Sequence, residues 1–151
     1  MGLWFVLASL LPAAAEAQLS GSAYRVLGQP DLRQNGVNMV LGAELFGPGG
    51  LALDASEGQV RLYVADTRNH RVLAWADARS YRNDGAADLA LGQPSRQYFT
   101  PMGIGPKALN TPAGLAVDPA GRLYVADSGN HRVLRFPKPF GNGLRAEPDA
   151  V

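Results

Sequence analysis

Residues 63–75 read YVADTRNHRVLAW, and residues 124–136 read YVADSGNHRVLRF. Aligned from Leu62 and Leu123, the two words agree at ten of twelve positions, at a constant offset of 61 residues. Recurrence at a fixed offset marks a chain built from copies of one supersecondary unit. Each copy holds two short runs rich in β-formers, LYVA and RVL, separated by a polar D-x-x-N-H stretch. That pattern predicts two strands and a tight turn.

The repeat extends outward from this word. GLALD at 50–54 returns as GLAVD at 114–118, and LGQP at 27–30 returns at 91–94, both at an offset of 64. The offset changes because the turn ASEGQVR (55–61) is three residues longer than PAGR (119–122), and turns absorb insertions at little cost. DLALGQ (88–93) supplies a fourth run, and Asp149 stands 61 residues beyond Asp88, as the start of a further unit. The long connection SRQYFTPMGIGPKALNTPA (95–113) is too polar and too rich in Pro for a helix.

Four short antiparallel strands per unit, at a period of about 60 residues, predict an all-β fold of β-propeller blades. The chain holds two blades and a partial third. A blade cannot bury both its faces alone, which explains why LYVA and RVLRF carry apolar residues on both sides of the pleat. The small Gly-Leu-Ala runs suit an innermost strand, where blades converge. AYRVLGQ (23–29) reads as a fourth-strand sequence with no blade before it. The expected organisation is a leader at 1–17 and an incomplete propeller segment at 18–151, with repeats at about 46–93 and 110–151. The missing blades come from the rest of a longer chain or from self-association of copies, three to a ring.

Composition narrows the function. A chain of 151 residues can form one domain with a real core. Its 18 Gly and 11 Pro exceed average usage, as a turn-rich β fold requires. The formal charge is +1 and the basic residues are scattered, which argues against the basic stripe that nucleic-acid binding demands. Without Cys there is neither a disulfide framework nor a thiolate metal site. MGLWFVLASLLPAAAEA (1–17) has an apolar run from Leu3 to Leu11, a Pro12 break and an Ala15-Glu16-Ala17 cleavage pattern, although no Lys or Arg precedes the run. These features predict a signal peptide cut after Ala17 and a secreted or periplasmic product. The run is shorter than the roughly 20 residues that a bilayer span takes.

With YVAD before it and P-x-G-L-A-x-D further upstream, the Asn69-His70-Arg71-Val72-Leu73 word and its copy at 130–134 resemble NHL repeats, named for an Asn-His-Leu signature. Here the third letter is Arg. The resemblance covers roughly residues 24–151 and implies a six-bladed propeller. The LGQP spacer and the long loop are similar to those of exported bacterial members.

Asp66, Asn69, His70 and Arg71, with Asp127, Asn130, His131 and Arg132, could be read as acid–base pairs or metal ligands. Repetition favours structure instead: a catalytic group is needed once, whereas these recur at one position of each unit. Short polar side chains at such a turn suit an Asx-turn, and the Arg can lie across the blade edge. His70 and His131 are the only histidines, so none is left for a triad or zinc site. No G-x-S-x-G elbow is present, and Lys107 lacks phosphate-loop spacing. Asp54 and Asp118 could lend carboxylates to an axial cation, though capping a turn is the simpler role. Tyr98, Phe99 and Met102 have no counterparts in the first unit, which makes them the candidate ligand contacts.

The expected function is a binding scaffold for a protein, peptide or glycan, with no catalytic residues, no metal site and no cofactor. Family members that bind RNA use a basic face, which this chain lacks. Two alternatives stand beside it. Similar propellers occur in lactonase-like hydrolases and amidating lyases with an axial metal, and a spacer repeat in a larger surface protein needs no ligand. Fold alone does not choose among them.

Overall fold

The computed structural model describes residues 22–23, 25–36, 40–141 and 147–149. The predicted leader and its cleavage site lie outside the described residues.

The seven strands form two antiparallel sheets. Strands β1 (Pro48–Asp54), β2 (Arg61–Asp66), β3 (Arg71–Trp75) and β4 (Leu89–Leu91) follow one another in order as a four-stranded meander. Strands β5 (Pro112–Val117), β6 (Arg122–Asp127) and β7 (Arg132–Pro137) repeat its first three positions. The only helical pieces among the described residues are single 3-10 turns at Thr67–Asn69 and Ser128–Asn130, each closing the hairpin between the middle strands of a sheet. The fold is all-β, with the two sheets built as propeller blades. The connection from Gly92 to Thr111 contains no helix, in line with its Pro-rich sequence.

Asp149 occupies the fourth position of the second sheet. Its N–H donates to the Arg135 carbonyl at 2.9 Å, as the Asp88 N–H does to Ala74 at 2.8 Å. At the other end, residues 25–29 do not run as the strand read from AYRVLGQ. Gly28 makes one isolated parallel bridge to Glu44, and the Arg25 guanidinium bonds the Arg79 and Tyr81 carbonyls. A fourth strand needs a third to pair with, and no sheet that could supply one precedes it among the described residues.

The pleat sorts the apolar residues into two layers. Tyr63, Val72, Ala74, Leu89 and Leu91 of the first sheet meet Leu123, Val125, Leu134 and Phe136 of the second, with Leu109 completing the layer. Complete burial of a Leu or Phe side chain contributes about 1.5–3 kcal/mol, so this layer is what joins the sheets. Val64, Leu73 and Trp75 point the opposite way and are covered by Leu27, Leu45 and Tyr81 from the flanking segments.

Two sets of glycines let the units close up. Strands β1 and β5 run beside each other, and a Cβ on Gly50 would come within 2.6 Å of the Ala113 carbonyl oxygen. The Gly of each LGQP word, Gly28 and Gly92, holds φ at 89°. A Cβ there would lie 2.9 Å from Leu45 or 2.6 Å from Leu109. The spacer word thus recurs because its Gly takes a left-handed conformation pressed onto the Leu that leads into the next sheet.

Candidate functional site

Each D-x-x-N-H-R word folds into the same hydrogen-bonded set. In the first sheet the Asp66 carboxylate accepts from the Phe46 N–H at 2.6 Å, from Asn69 Nδ2 at 2.8 Å and from Arg71 Nε at 2.7 Å. In the second, Asp127 accepts from the Asn110 N–H at 2.7 Å, Asn130 Nδ2 at 2.9 Å and Arg132 Nε at 2.8 Å. Phe46 and Asn110 are 64 residues apart, so the donor from the incoming loop also repeats. Neither Asp side chain caps its own 3-10 turn. The Asx-turn expected there gives way to a carboxylate that ties the turn, the following Arg and the preceding loop together.

The Arg is the centre of the set. Arg71 is fully buried, and beyond Asp66 its guanidinium donates to the carbonyls of Arg96 and Glu44. It runs beneath the loops and does not lie across the blade edge. Arg132 reaches Ile104, Gly105 and Ala108 in the same manner. A buried charge must be paired and have its donors satisfied, and a planar five-donor fork can do both. With their hydrogen-bonding groups engaged in this way, these side chains can hold a turn and two loops; they present no open coordination position.

The histidine has a separate task. His70 and His131 sit in the left-handed region, at φ 53° and 54°. From there the His70 Nδ1 accepts the Thr111 N–H at 3.0 Å, a bond from one sheet to the segment entering the other. Two more bonds flank it: Thr67 Oγ1 donates to the Pro112 carbonyl at 2.7 Å, and Gln93 Nε2 to the His70 carbonyl at 3.0 Å. Sequence reading placed His70 in the motif but missed Thr111, Thr67 and Gln93. Their repeated positions were the available signal.

Asp54 and Asp118 cap turns. Asp54 is fully buried; burial pushes its carboxyl up, but bonds from Ser56 and Arg61 outweigh this and hold it below the usual value. Removal from water also pushes Asp118 up, and its bonds from Arg122, Ala120 and the Tyr124 hydroxyl bring it below the ordinary range. No group of three acidic or imidazole side chains suited to a metal occurs among the described residues.

Tyr98, Phe99 and Met102 stand elsewhere, on the loop between the sheets, at 53%, 50% and 47% exposure. Met102 borders a cleft of about 460 Å³ walled by the Leu91–Pro94 spacer and by Gly105–Ala108. A smaller cleft of about 250 Å³ lies between Gly28–Pro30 and Leu41, Ala43 and Glu44. The two are counterparts, since Gly28–Pro30 and Gly92–Pro94 are related by the repeat offset. In the larger one Gln93 leaves its Oε1 without a hydrogen-bond partner.

Blade-like sheets repeating one buried Asp-Asn-Arg set define an all-β repeat protein of the propeller type. Residues 109–136 match the family described as NHL repeat. The chain is 32% identical over 95 residues to NHL repeat-containing protein 3 of Homo sapiens, covering 60% of this chain and 25% of that protein. It is 27% identical over 131 residues to NHL repeat-containing protein 3 of Mus musculus, covering 83% of this chain and 31% of that protein. The chain thus spans less than a third of the length of these relatives. Both are mammalian and lend no support to the exported bacterial type that the spacer suggested. No helix among the described residues is long and apolar enough to cross a membrane.

Proposed function

We propose that this chain is a propeller segment acting as a binding scaffold, with the loop at 95–108 as its contact surface and a protein, peptide or glycan as its partner. One observation carries the reading. The loop holds Tyr98, Phe99 and Met102 about half exposed, where the first unit has Gln34, Asn35 and Asn38. The repeat does not require them. Ile104, by contrast, is 79% exposed but corresponds to Val40, which is buried at 8%, so its apolar character belongs to the unit. Large apolar side chains displayed on a loop beside a cleft, without a packing need, mark a contact surface.

The repeated Asp, Asn, His and Arg residues are, in this reading, structural. The leader-like sequence at 1–17 supports export, and N-terminal sequencing of the exported chain is expected to begin at Gln18. Further blades complete a six-bladed ring. Peptide and glycan arrays probed with the full chain and with a Tyr98→Ala, Phe99→Ala, Met102→Ala triple variant test the binding surface. The expected result is a ligand retained by the unaltered chain and lost by the variant, at unchanged melting temperature. Equal retention by both overturns the assignment.

A further inference from the structure

We infer that the chain associates head to tail, the free face of its second sheet docking the first sheet of a second copy. The contact is already built once inside the molecule. At that internal junction the first sheet offers the His70 Nδ1, the Thr67 hydroxyl and an apolar face containing Tyr63 and Val72. The entering segment answers with the Thr111 N–H, the Pro112 carbonyl and the half-buried Leu115 and Val117.

Both halves of this junction occur a second time, each unanswered. On the second sheet His131 repeats His70 in backbone conformation and is exposed, with no partner for its ring among the described residues. Ser128 repeats Thr67, and Val133 is 52% exposed where its counterpart Val72 is fully buried. On the first sheet Gly47 stands at the Thr111 position and shares its left-handed backbone, φ 58° against 45°. Pro48 repeats Pro112, and Leu51 and Leu53, the counterparts of Leu115 and Val117, are 68% and 56% exposed.

The two free halves are therefore complementary in the sense that the internal pair already demonstrates. His131 of one copy accepts the N–H at position 47 of the next, the Ser128 hydroxyl donates to the carbonyl at position 48, and Val133 covers Leu51 and Leu53. Arg135 replaces Ala74 on this face, but its charge is matched locally by two bonds to Asp149 at 2.8 and 3.0 Å. The contact is heterologous, so it grows into a closed ring or an open filament and not into a symmetric dimer. It uses neither Tyr98, Phe99 nor Met102 and stands independently of the binding role proposed above.

Light scattering and sedimentation of the full chain over a wide concentration range test the inference, with Leu51→Glu and Val133→Glu each blocking one half. Both positions are more than half exposed, so the monomer fold is expected to survive, as circular dichroism would verify. The unaltered chain is expected to associate and each variant alone to stay monomeric. An equimolar mixture of the two is expected to form a one-to-one dimer, because the intact half of one meets the intact half of the other. His131→Ala is expected to weaken association by about tenfold or less, the loss of one hydrogen bond. A chain that stays monomeric at all concentrations, a variant that self-associates alone, or a mixture that does not pair overturns the inference.

Discussion

The same word, LYVAD, is written into β2 and β6, yet the two strands live in different surroundings. From Tyr63 to Asp66 every residue of β2 is buried, whereas along β6 buried and half-buried residues alternate. The third strands differ more: β3 is buried throughout, while in β7 only Leu134 and Phe136 are. The first sheet is packed between the second sheet and the flanking segments; the second is packed on one face. Identical sequence with unequal burial teaches that these words are written for a unit with neighbours on both sides. Alternation in β7 is a property of its place in the molecule and not of its residues.

The comparison can be broken hardest at the buried carboxylates. Asp66→Ala leaves Arg71 charged, fully buried and without its ion pair, which costs about 3–5 kcal/mol. Asp127→Ala releases Arg132, whose side chain keeps 17% exposure, so water softens the loss and the cost is expected to be smaller. Urea unfolding of the two variants, side by side, measures the difference; equal losses would mean that burial of the Arg is irrelevant.

The inner strands give the next contrast. Gly50→Ala drives a methyl group into the Ala113 carbonyl, an overpacking cost of about 1–3 kcal/mol. Gly114→Ala meets only the Ala126 side chain, at 3.6 Å, and should change the melting temperature little. His70→Ala removes the acceptor of the Thr111 N–H and is expected to cost about 1 kcal/mol, with amide exchange at Thr111 accelerated. In monomer, His131→Ala should fall within about 0.5 kcal/mol of the unaltered chain.

The smallest effect concerns pH. Glu57 lies in the three-residue extension of the first turn and bonds Arg61 at 2.6 Å and Lys138, beyond β7, at 3.0 Å. These bonds hold its carboxyl at about 2, against an ordinary 4.5. A carboxyl depressed by folding adds stability that is complete above the unfolded value and fades as pH falls from 4.5 towards 2. Lys138→Ala should raise the Glu57 midpoint in a carboxyl NMR titration and flatten the acid limb of the stability curve; an unmoved midpoint would show that Arg61 alone sets it. The second turn, four residues long, has no such acid to titrate.

Much of the fold was legible because strand signals are local. LYVA, RVL and GLALD mark β1, β2, β3, β5 and β6 through residue type and spacing, and the Pro-rich 95–113 stretch advertises a loop. What escaped is whatever depends on a contact distant in sequence. AYRVLGQ carries strand residues, but a strand is a pairing, and its partner is absent among the described residues. The Asp66 carboxylate looked like a local turn cap because the competing donors, Phe46 N–H and Arg71, lie 20 residues back and five ahead. The repeat announced that His70 mattered, yet only the fold could bring Thr111, 41 residues away, to its ring. The apolar trio at Tyr98, Phe99 and Met102 stood out by the opposite logic, as residues that one unit has and the other lacks.

The bonds that join the two sheets at the hairpin end have one more property. His70 and Thr67 address a main-chain N–H and a main-chain carbonyl, groups that any residue pair offers so long as the first is not Pro. The receiving unit is thus recognised by the path of its backbone and not by its side chains. A unit could be duplicated, deleted or exchanged for a diverged copy without rewriting its neighbour, and the loops could drift towards new partners while the joints between units kept the same grammar.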